Sequence, residues 1–527
     1  MPTNDISRRK LIKGFAGTAV FAPASITKPA LATDIAADTK NTIRLQHDVP
    51  KIVEPRLWDW PQIANCCRGW LEYLLECQPN GSLKPILLKE VTPNKDYSSF
   101  KLVIKPNVYW NNGEQFKAKH VLWLFQYWCD TSIPGNSMAL RMASLIDPKA
   151  GTLDATRIKI LDELTLKVDL PNPDSTFLYN LADYPAAVIH PTTNLSDIIS
   201  TPIGTGAFIP TDYIPGKRMV VVRNEKHEHW SQDYDKLIKK IIFVDLGTDP
   251  LDWLLAAQEN AVDLLFQIPS ASNIPKGLNS WKEYKILSSN TLVARFNQKD
   301  GLKPSIYANS SIRAAISQAI DNSVLLELGI NNIGIVAHNH HVAPVHPDFV
   351  DIGAPQLSPK ESLTTLRRVG AHEHVHEIHA LDDQFNRYTA EAIAAQLRDA
   401  KIPTAVKVVP RNKYFRHWRD YSFSITEWIH RPLGIQNIAL GYKSNAPWNE
   451  CNYSNPVLDD LILDAISTVN SSLRQSIMEK IEHHIQAENL IIQPFWRELT
   501  RIAKSDITGA EIHPSHELHL HKLSRKI

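Results

Sequence analysis

The stretch on which the interpretation of the fold depends is Pro202-Ile203-Gly204-Thr205-Gly206-Ala207-Phe208. It is followed by Pro215-Gly216 and by the apolar run Met219-Val220-Val221-Val222. Together they predict a short strand, a turn and a second strand. The two glycines permit either a positive φ angle or a close approach of another chain segment, which a Cβ atom would prevent. The sequence therefore predicts a β-hairpin whose entry is shaped by Gly204 and Gly206.

The composition is that of a globular protein with more than one domain. A chain of 527 residues exceeds what a single hydrophobic core usually serves, so two or three domains are expected. Apolar residues make up 43% and charged residues 21%, both ordinary values for a globular chain. The formal net charge of +1 provides no electrostatic footprint for nucleic acid or for an anionic membrane surface. We expect no nucleic-acid partner.

The first 32 residues have the pattern of an export signal. Ser7–Lys13 reads SRRKLIK and resembles the twin-arginine motif. A weakly apolar stretch follows at Gly14–Ile26, which is too short to span a bilayer, and Ala30-Leu31-Ala32 provides a small-x-small cleavage site. We expect residues 1–32 to be a twin-arginine signal peptide and the mature chain to be a soluble periplasmic protein.

Cysteine usage is compatible with that compartment. An oxidising compartment permits disulfides, and an odd count leaves at least one thiol unpaired. The spacing of the cysteines leaves their pairing open, and no CxxC motif occurs. The five residues concerned are Cys66, Cys67, Cys77, Cys129 and Cys451.

A second informative segment, residues 100–128, reads FKLVIKPNVYWNNGEQFKAKHVLWLFQYW. Its alternation predicts a strand at 100–104, Asn112-Gly113 predicts a turn, and the apolar spacing from Lys117 to Trp128 predicts a helix. The same reasoning predicts helices around Trp70–Leu75, 389–400 and 473–485, and strands at 42–45, 164–170, 292–297 and 402–409.

These segments resemble bacterial solute-binding proteins of family 5, the peptide-, nickel- and opine-binding class of ABC transporters. The predicted hairpin at residues 202–222 matches the family's PxGTGxF/Y pattern. Residues 100–128 match its strand–turn–helix block, with Asn112 where the family commonly has Asp. Residues 311–321 and 453–461 match further family segments in the same order. The resemblance extends over nearly the whole mature chain.

The resemblance implies an α/β, bilobal periplasmic-binding-protein fold of type II, with an extra subdomain in lobe one. Carried onto this sequence, lobe I is formed by residues 33–60, 190–280 and 490–527, the inserted subdomain by 61–189, and lobe II by 281–489. The implied function is that of the periplasmic component of an ABC-type importer. It captures a small solute, a peptide or a peptide-like or anionic conjugate, in the cleft and delivers it to permease subunits in the inner membrane. We expect a monomer without catalytic residues and without a cofactor.

The resemblance also indicates where a ligand is held. Dipeptide binders of the class place an acidic residue after the Gly-Trp of a corner in lobe two, where it pairs with the α-ammonium of the ligand. The matching corner, Glu427–Gly434, has His430 and Arg431 instead. An enclosed arginine disfavours an ammonium and favours a carboxylate or phosphate, which it grips bidentately. The alternative is that Arg431 pairs internally with Glu427 or Glu450. The candidate ligand-binding residues are Trp428, His430, Arg431, Arg387, Asn297 and Trp448.

Metal chemistry is the remaining alternative, because the chain has 21 histidines. His372–His376 formally satisfies HExxH, but that zinc signature requires a helix, and the alternating sequence HEHVHEIH predicts a strand. Four strand residues span roughly 13 Å, too far for both rings to reach one Zn²⁺. We expect no metal site. A haem or metal-complex binder of the same family remains an alternative, and a His-rich metal-dependent periplasmic enzyme is a weaker one. No GxSxG, phosphate-loop or Rossmann glycine pattern supports another enzyme class.

Overall fold

The computed structural model of the protein describes residues 40–268 and 278–526. The expected signal peptide lies outside these ranges. The strands, numbered in chain order, are β1 Thr42–Gln46, β2 Leu75–Cys77, β3 Leu83–Pro85, β4 Leu88–Pro93, β5 Ser99–Ile104, β6 Ile158–Asp162, β7 Thr165–Asp169, β8 Phe208–Ile214, β9 Arg218–Arg223, β10 Lys240–Val244, β11 Leu264–Ile268, β12 Trp281–Leu287, β13 Thr291–Phe296, β14 Lys299–Asp300, β15 Lys303–Pro304, β16 Gly334–Val336, β17 His376–Leu381, β18 Thr404–Val409, β19 Phe423–Trp428, β20 Ile491–Ile492, β21 Phe495–Lys504, β22 Ile507–Thr508 and β23 Ser524–Arg525.

The α-helices are α1 Pro61–Cys67, α2 Ala118–Trp128, α3 Ser137–Arg141, α4 Phe177–Asn180, α5 Pro250–Gln258, α6 Ser310–Ser317, α7 Asn322–Ile330, α8 Pro359–Arg368, α9 Gln384–Asp399, α10 Arg411–His417, α11 Gly434–Tyr442, α12 Pro456–Ser467 and α13 Ser471–Ala487. Over the described ranges, no helix has both the length and the apolar character required to cross a membrane.

The large sheet is assembled from distant parts of the chain. Its order is β12-β21-β11-β1-β10-β9-β8, and β16 pairs with the first residues of β21. Strand β1 is parallel to both β10 and β11, whereas the other neighbours are antiparallel. The carboxyl ends of these three parallel strands, at Gln46, Val244 and Ile268, therefore lie at one edge of the sheet.

The predicted hairpin is formed by β8 and β9. Neither Gly204 nor Gly206 has a positive φ angle. A Cβ atom at Gly204 would lie 1.9 Å from the carbonyl oxygen of Trp70, and one at Gly206 would lie 2.5 Å from that of Gly69. Close approach of another segment, rather than backbone conformation, is therefore the reason for both glycines.

The prediction of a helix around Trp70–Leu75 is wrong. The helix in this region is α1, which ends at Cys67, and Leu75 begins β2. The carbonyl of Trp70 accepts from the amide of Gly206, and that of Gly69 accepts from Phe208. This segment therefore pairs with the entry of the hairpin instead of closing helical hydrogen bonds, while its apolar side chains are still buried. The other predicted strands and helices agree with the structure to within a few residues.

A second sheet has the order β18-β17-β19-β13-β20. Strand β17 is parallel to β18 and β19, and β13 is antiparallel to β19 and β20. The carboxyl ends of the three parallel strands, at Leu381, Val409 and Trp428, again lie at one edge. Helix α9 packs on this sheet through buried residues such as Ile393 and Leu397.

Two short segments connect the two sheets directly, at residues 288–290 between β12 and β13 and at 493–494 between β20 and β21. The first segment runs along the start of β21: the amide and Oγ of Ser288 donate to the carbonyl of Arg497, each at 3.1 Å, and the amide of Arg497 donates to the carbonyl of Asn290 at 2.8 Å. The second segment lies close to it, because Nε2 of Gln493 donates to Oγ1 of Thr291 at 2.9 Å. Strand β12 belongs to the large sheet, so the chain leaves that sheet after Leu287 rather than at residue 281.

A third, antiparallel sheet has the order β4-β5-β7-β6 and lies within residues 88–169. Its core includes the fully buried side chains of Phe100, Trp110 and Phe125, the last from α2. All five cysteines of the chain are described, and each is buried and free of a disulfide.

Candidate functional site

A cavity of about 760 Å³ lies where the carboxyl-end edges of the large and five-stranded sheets face each other. Residues 46–51, 245–253 and 266–267 follow or end the parallel strands of the large sheet, and residues 381–386 and 411–416 follow those of the second sheet. Ligands of parallel α/β proteins bind at this end of the strands, where loops rather than a continuous ladder line the surface.

Aromatic rings contribute much of the cavity wall. Trp60 lies with its ring 4.8 Å from that of Phe415, and Phe385 and Trp253 also line the space. Such rings offer broad contact area to an organic ligand and attract cationic groups through their π faces.

Arg411 spans the cavity from the second sheet to the large one. Its Nη2 lies 2.6 Å from Oδ1 of Asp48, and its Nη1 lies 3.3 Å from Oδ2 of Asp245. Burial opposes the charged form of Arg411, but the two carboxylates outweigh it and raise the pKa of the guanidinium. Asp48 itself has a raised pKa because it is buried and adjoins Asp245.

Arg497, on β21, makes a second buried pair at the cavity wall. Its Nη1 donates to Oε1 of Glu427 at 2.7 Å and to Oδ1 of Asn290 at 3.0 Å, and its guanidinium carbon lies 4.0 Å from the ring centre of Phe385. Burial lowers the pKa of Arg497, and Glu427 partly restores it. Arg497 is thus held in place by an acid, an amide and a ring.

Asp383 caps the first turn of α9. Its Oδ1 accepts from the amide of Asn386 and its Oδ2 from Nδ2 of the same residue, both at 2.8 Å. Burial raises the pKa of Asp383 to about 6, with the nearby charge of Glu427 adding to the rise and the hydrogen bonds from Asn386 opposing it. This carboxylate faces the cavity.

Three of the residues proposed from the sequence come together. Trp428, Trp448 and Arg431 line a small cavity of about 30 Å³, which shares Asp59, Trp60 and Glu427 with the main one. Nε1 of Trp448 donates to Oδ1 of Asp59 at 3.0 Å. Burial raises the pKa of Asp59, and the hydrogen bond from Trp448 opposes that rise.

Arg431 is committed to an internal ion pair. Its Nε lies 3.2 Å from Oδ2 of Asp183, and its Nη1 donates to Oδ1 of Asn437 at 2.6 Å. Arg141 lies against the same Asp183 carboxylate, with its Nη2 2.7 Å from Oδ2. The geometry therefore agrees with the internal-pairing alternative, although the partner is Asp183 and not Glu427 or Glu450.

The other three proposed residues lie away from the cavity wall. Nδ1 of His430 accepts from Oγ of Ser289 at 2.9 Å beside the first connecting segment. Asn297 donates to the carbonyl of Arg419 at the opposite end of β13. Arg387 is exposed on α9.

Sequence reasoning missed the charged residues of the main cavity. Asp48, Asp245, Asp383 and Arg411 each come within two residues of the carboxyl end of a parallel strand. That position is the signal that could have identified them, once the parallel strands were assigned.

One histidine cluster has the spacing of a metal site. Glu114, His120 and His190 bring ligand atoms within 4.8 Å of one another. However, Nδ1 of His120 accepts from the amide of Lys117, and Nδ1 of His190 accepts from that of Thr192. Each Nε2 therefore carries the proton and donates to Glu114, both at 3.0 Å. In this tautomer neither Nε2 offers a lone pair to a metal ion.

The HExxH sequence does not form a zinc-binding helix. Residues 372–373 form a turn, residues 374–375 have no regular structure, and β17 begins at His376. His376 is fully buried with Nδ1 3.1 Å from the hydroxyl of Tyr307, whereas the side chain of His372 is 40% exposed. The two rings therefore lie in different surroundings, and the predicted strand is confirmed only from His376 onward.

Comparison with known proteins identifies the class. The family described as "Bacterial extracellular solute-binding proteins, family 5 Middle" matches residues 82–450. The chain belongs to this family of solute-binding proteins, as the sequence segments indicated.

Individual relatives are distant. The chain is 24% identical over 381 residues to the "Peptide transport periplasmic protein SapA" of Haemophilus influenzae, a match that covers 68% of this chain and 66% of that protein. It is 20% identical over 475 residues to the "Nickel-binding periplasmic protein" of Escherichia coli, covering 83% and 85% respectively. The crystal structure of Haemophilus influenzae OppA in complex with RPPGFSPFR superposes with a TM-score of 0.81 at 17% identity, over 93% of this chain and 99% of that one. The two-lobed α/β fold expected from the sequence is confirmed.

Proposed function

We propose that the protein is the periplasmic solute-binding component of an ABC-type importer, which captures a peptide or peptide-like solute in the cavity and delivers it to permease subunits in the inner membrane. The observation that carries this proposal is the position of the cavity. It lies between two sheets that are joined by two short adjacent segments, so a rotation at residues 288–290 and 493–494 would open or close it.

We propose that lobe I is built on the large sheet, lobe II on the five-stranded sheet, and the subdomain within 61–189 on the four-stranded sheet. On this division β12 and β16 belong with lobe I and β20 with lobe II, which shifts the bounds expected from the sequence. Arg411, from lobe II, then bridges to Asp48 and Asp245 of lobe I and stabilises the closed arrangement. Closure encloses the ligand without covalent chemistry, so no catalytic role is assigned to any cavity residue.

Export is part of the proposal. The names of SapA and of the nickel-binding protein place those relatives in the periplasm. Together with the twin-arginine pattern at Ser7–Lys13, this supports export of the chain and removal of residues 1–32. We propose that the mature protein acts as a monomer.

The test is thermal unfolding of the purified protein with a solute panel of peptides, anionic conjugates, haem and Ni²⁺. A ligand at about 100 times its Kd adds about 2.7 kcal/mol to the free energy of unfolding, a clear rise in Tm. The proposal further predicts that the stabilising solute is imported by membranes containing the cognate permease only when the protein is added. Catalytic turnover of a solute by the purified protein, or solute uptake that is independent of it, would contradict the proposal.

The panel also separates the alternatives. The nickel-binding relative makes a metal complex a reasonable member of the panel, although the imidazoles of the Glu114, His120 and His190 cluster are hydrogen-bonded to the carboxylate of that cluster. A rise in Tm with Ni²⁺ or haem alone would favour a metal-complex binder of the same family.

A further inference from the structure

The buried positive charges of the main cavity are already neutralised by its own acids. Arg411 is paired with Asp48 and Asp245, and Arg497 with Glu427. The other two basic residues of the wall, Lys51 and Arg416, are exposed to solvent. Within the described cavity, each guanidinium that is not exposed to solvent is therefore already paired with a carboxylate.

Two further carboxylates of the wall have no cationic partner. Within the described ranges, neither Asp59 nor Asp383 forms an ion pair. Asp59 accepts a hydrogen bond from the indole of Trp448, and Asp383 accepts from Asn386. Each carboxylate oxygen can accept more than one hydrogen bond, so both groups retain acceptor capacity toward the cavity.

Hydrogen-bond complementarity gives an independent indication of the ligand. Among the described residues that line the cavity, the buried side-chain atoms without a partner are Oε1 of Gln46 and Oε1 of Gln62. Both are acceptors, and Gln46 is only 4% exposed. A buried acceptor without a donor is unfavourable, and because each oxygen has almost no accessible surface, a ligand that supplies N–H or O–H groups would satisfy it once the amide turns toward the cavity.

The aromatic residues favour the same class of ligand. Trp60 and Phe415 form one ring cluster, and Phe385 already stacks on the guanidinium of Arg497. Ring faces stabilise ammonium and guanidinium groups and do nothing comparable for carboxylates.

We propose that the cavity selects a solute that presents an ammonium or guanidinium group to the acceptor wall, defined as Gln46, Asp59, Gln62 and Asp383. This inference rests on the proposed solute-binding function and specifies the charge class of its ligand. It replaces the anionic ligand that His430 and Arg431 suggested, because Arg431 is paired with Asp183.

The test uses probes of similar size whose main difference is their charge. Three tripeptides with acetylated and amidated ends carry Lys, Gln or Glu between two glycines, and 1,5-diaminopentane is compared with glutarate, an anion of similar length. Isothermal titration calorimetry of the full chain should give the two cationic probes affinities at least about tenfold above those of their neutral and anionic counterparts. Equal or tighter binding of the Gln or Glu peptide, or of glutarate, overturns the inference, and so does failure of both cationic probes to bind at about 1 mM.

Variants assign the effect to the acceptor wall. Asp383→Asn removes the charge but keeps a side chain that caps α9 well, so the fold is retained. It should weaken binding of both cationic probes about tenfold and leave any binding of the Gln peptide unchanged. Asp382→Asn is the matched control, because Asp382 is the preceding acid and does not line the cavity.

The outcome is distinct from that of the proposed function. If neutral or anionic peptides stabilise the protein and are imported with it, solute binding stands and the cationic preference falls. An equal loss of affinity in Asp382→Asn and Asp383→Asn would also overturn the role of the acceptor wall. It would show that the probes respond to negative charge anywhere near the start of α9 and not to the carboxylate that lines the cavity.

Discussion

Arg431 and Asp183 lie 248 residues apart in the chain, yet the guanidinium Nε of one is 3.2 Å from the carboxylate Oδ2 of the other. Burial alone would raise the pKa of Asp183, but Arg141 and Arg431 together lower it to about 2. The contact joins the corner after β19 to the segment that precedes the β8–β9 hairpin. It also explains how an arginine can occupy the corner without serving the ligand.

Asp183→Asn should destabilise the protein by about 3 kcal/mol, because it leaves two buried guanidiniums without their anion. Urea unfolding measures the change. Arg387→Gln is the control: its ion pair with Asp382 is long, at 3.7 Å, and exposed, and its loss should cost less than about 0.5 kcal/mol. Similar costs for both variants would show that the buried pair contributes no more than an exposed one.

Gly204→Ala should prevent normal folding or destabilise the protein by more than about 3 kcal/mol, because its Cβ would overlap the carbonyl of Trp70. Gly81→Asn tests glycine replacement where there is open space. Gly81 has a φ of +81°, which Asn tolerates, and no atom lies within 4 Å of the added Cβ. Thermal unfolding compares the two, and a normal Tm for Gly204→Ala would refute the close-approach explanation.

The protein should lose stability steeply as the pH falls from about 6.5 toward 4. Burial lowers the pKa of His47, His346 and His516 to about 4, so the folded state stays unprotonated where the unfolded state, with pKa about 6.5, binds protons. Each such histidine costs about 1.4 kcal/mol per pH unit within this window, and none above it. Urea unfolding at pH 7.5, 6 and 5 measures the slope.

A histidine variant assigns that slope. His346→Gln should reduce the slope of the unfolding free energy against pH by the contribution of one proton, about 1.4 kcal/mol per pH unit. His417→Gln should leave the slope unchanged, because His417 is exposed. A free energy of unfolding that is constant between pH 7 and 5 would contradict the prediction.

Asp383→Asn should stabilise the unliganded protein at pH 7.5, with the advantage over the wild type shrinking as the pH falls to 5. The pKa of Asp383 is raised to about 6, so ionising this carboxyl costs the folded state more than the unfolded one. The cost is present above pH 6 and disappears as the group is protonated below it. The difference in Tm between variant and wild type, measured at each pH, isolates this carboxyl from the histidines, and a difference that grows on acidification would reverse the assignment.

Arg411→Ala should shift the unliganded protein toward an open arrangement, because it removes the ion pairs to Asp48 and Asp245. Small-angle X-ray scattering should show a larger radius of gyration, and ligand affinity should fall by a few-fold, about 1 kcal/mol. Arg398→Ala is the control, since the Arg398 side chain is exposed on α9, donates to the carbonyl of Thr404 and does not line the cavity. An unchanged scattering curve for Arg411→Ala would show that other contacts hold the cavity closed.

The family, the fold and most elements could be predicted from the sequence because they depend on local patterns, such as the hairpin entry at Gly204 and Gly206. The site could not. Asp183 and Arg431 meet only after 248 residues of intervening chain have folded, and no local pattern encodes that distance. Trp428 was identified because it belongs to a recognisable corner, and Trp448 because it is an aromatic residue near that corner in the sequence, whereas Asp383 and Arg411 required the sheet topology. The segment at Trp70 was mistaken for a helix because its hydrogen-bond partner, Gly206, is remote in sequence.

Strand β21, residues 495–504, lies between β12 and β11 near one side of the large sheet. During synthesis, the chain that precedes it can form the four-stranded sheet and most of the five-stranded one, but β12 has no neighbour until the last few dozen residues emerge. Completion of the large sheet, and with it the solute cavity, is therefore among the final events of folding. A partly made chain cannot sequester solute, and a truncation that removes β21 should abolish binding even if lobe II folds.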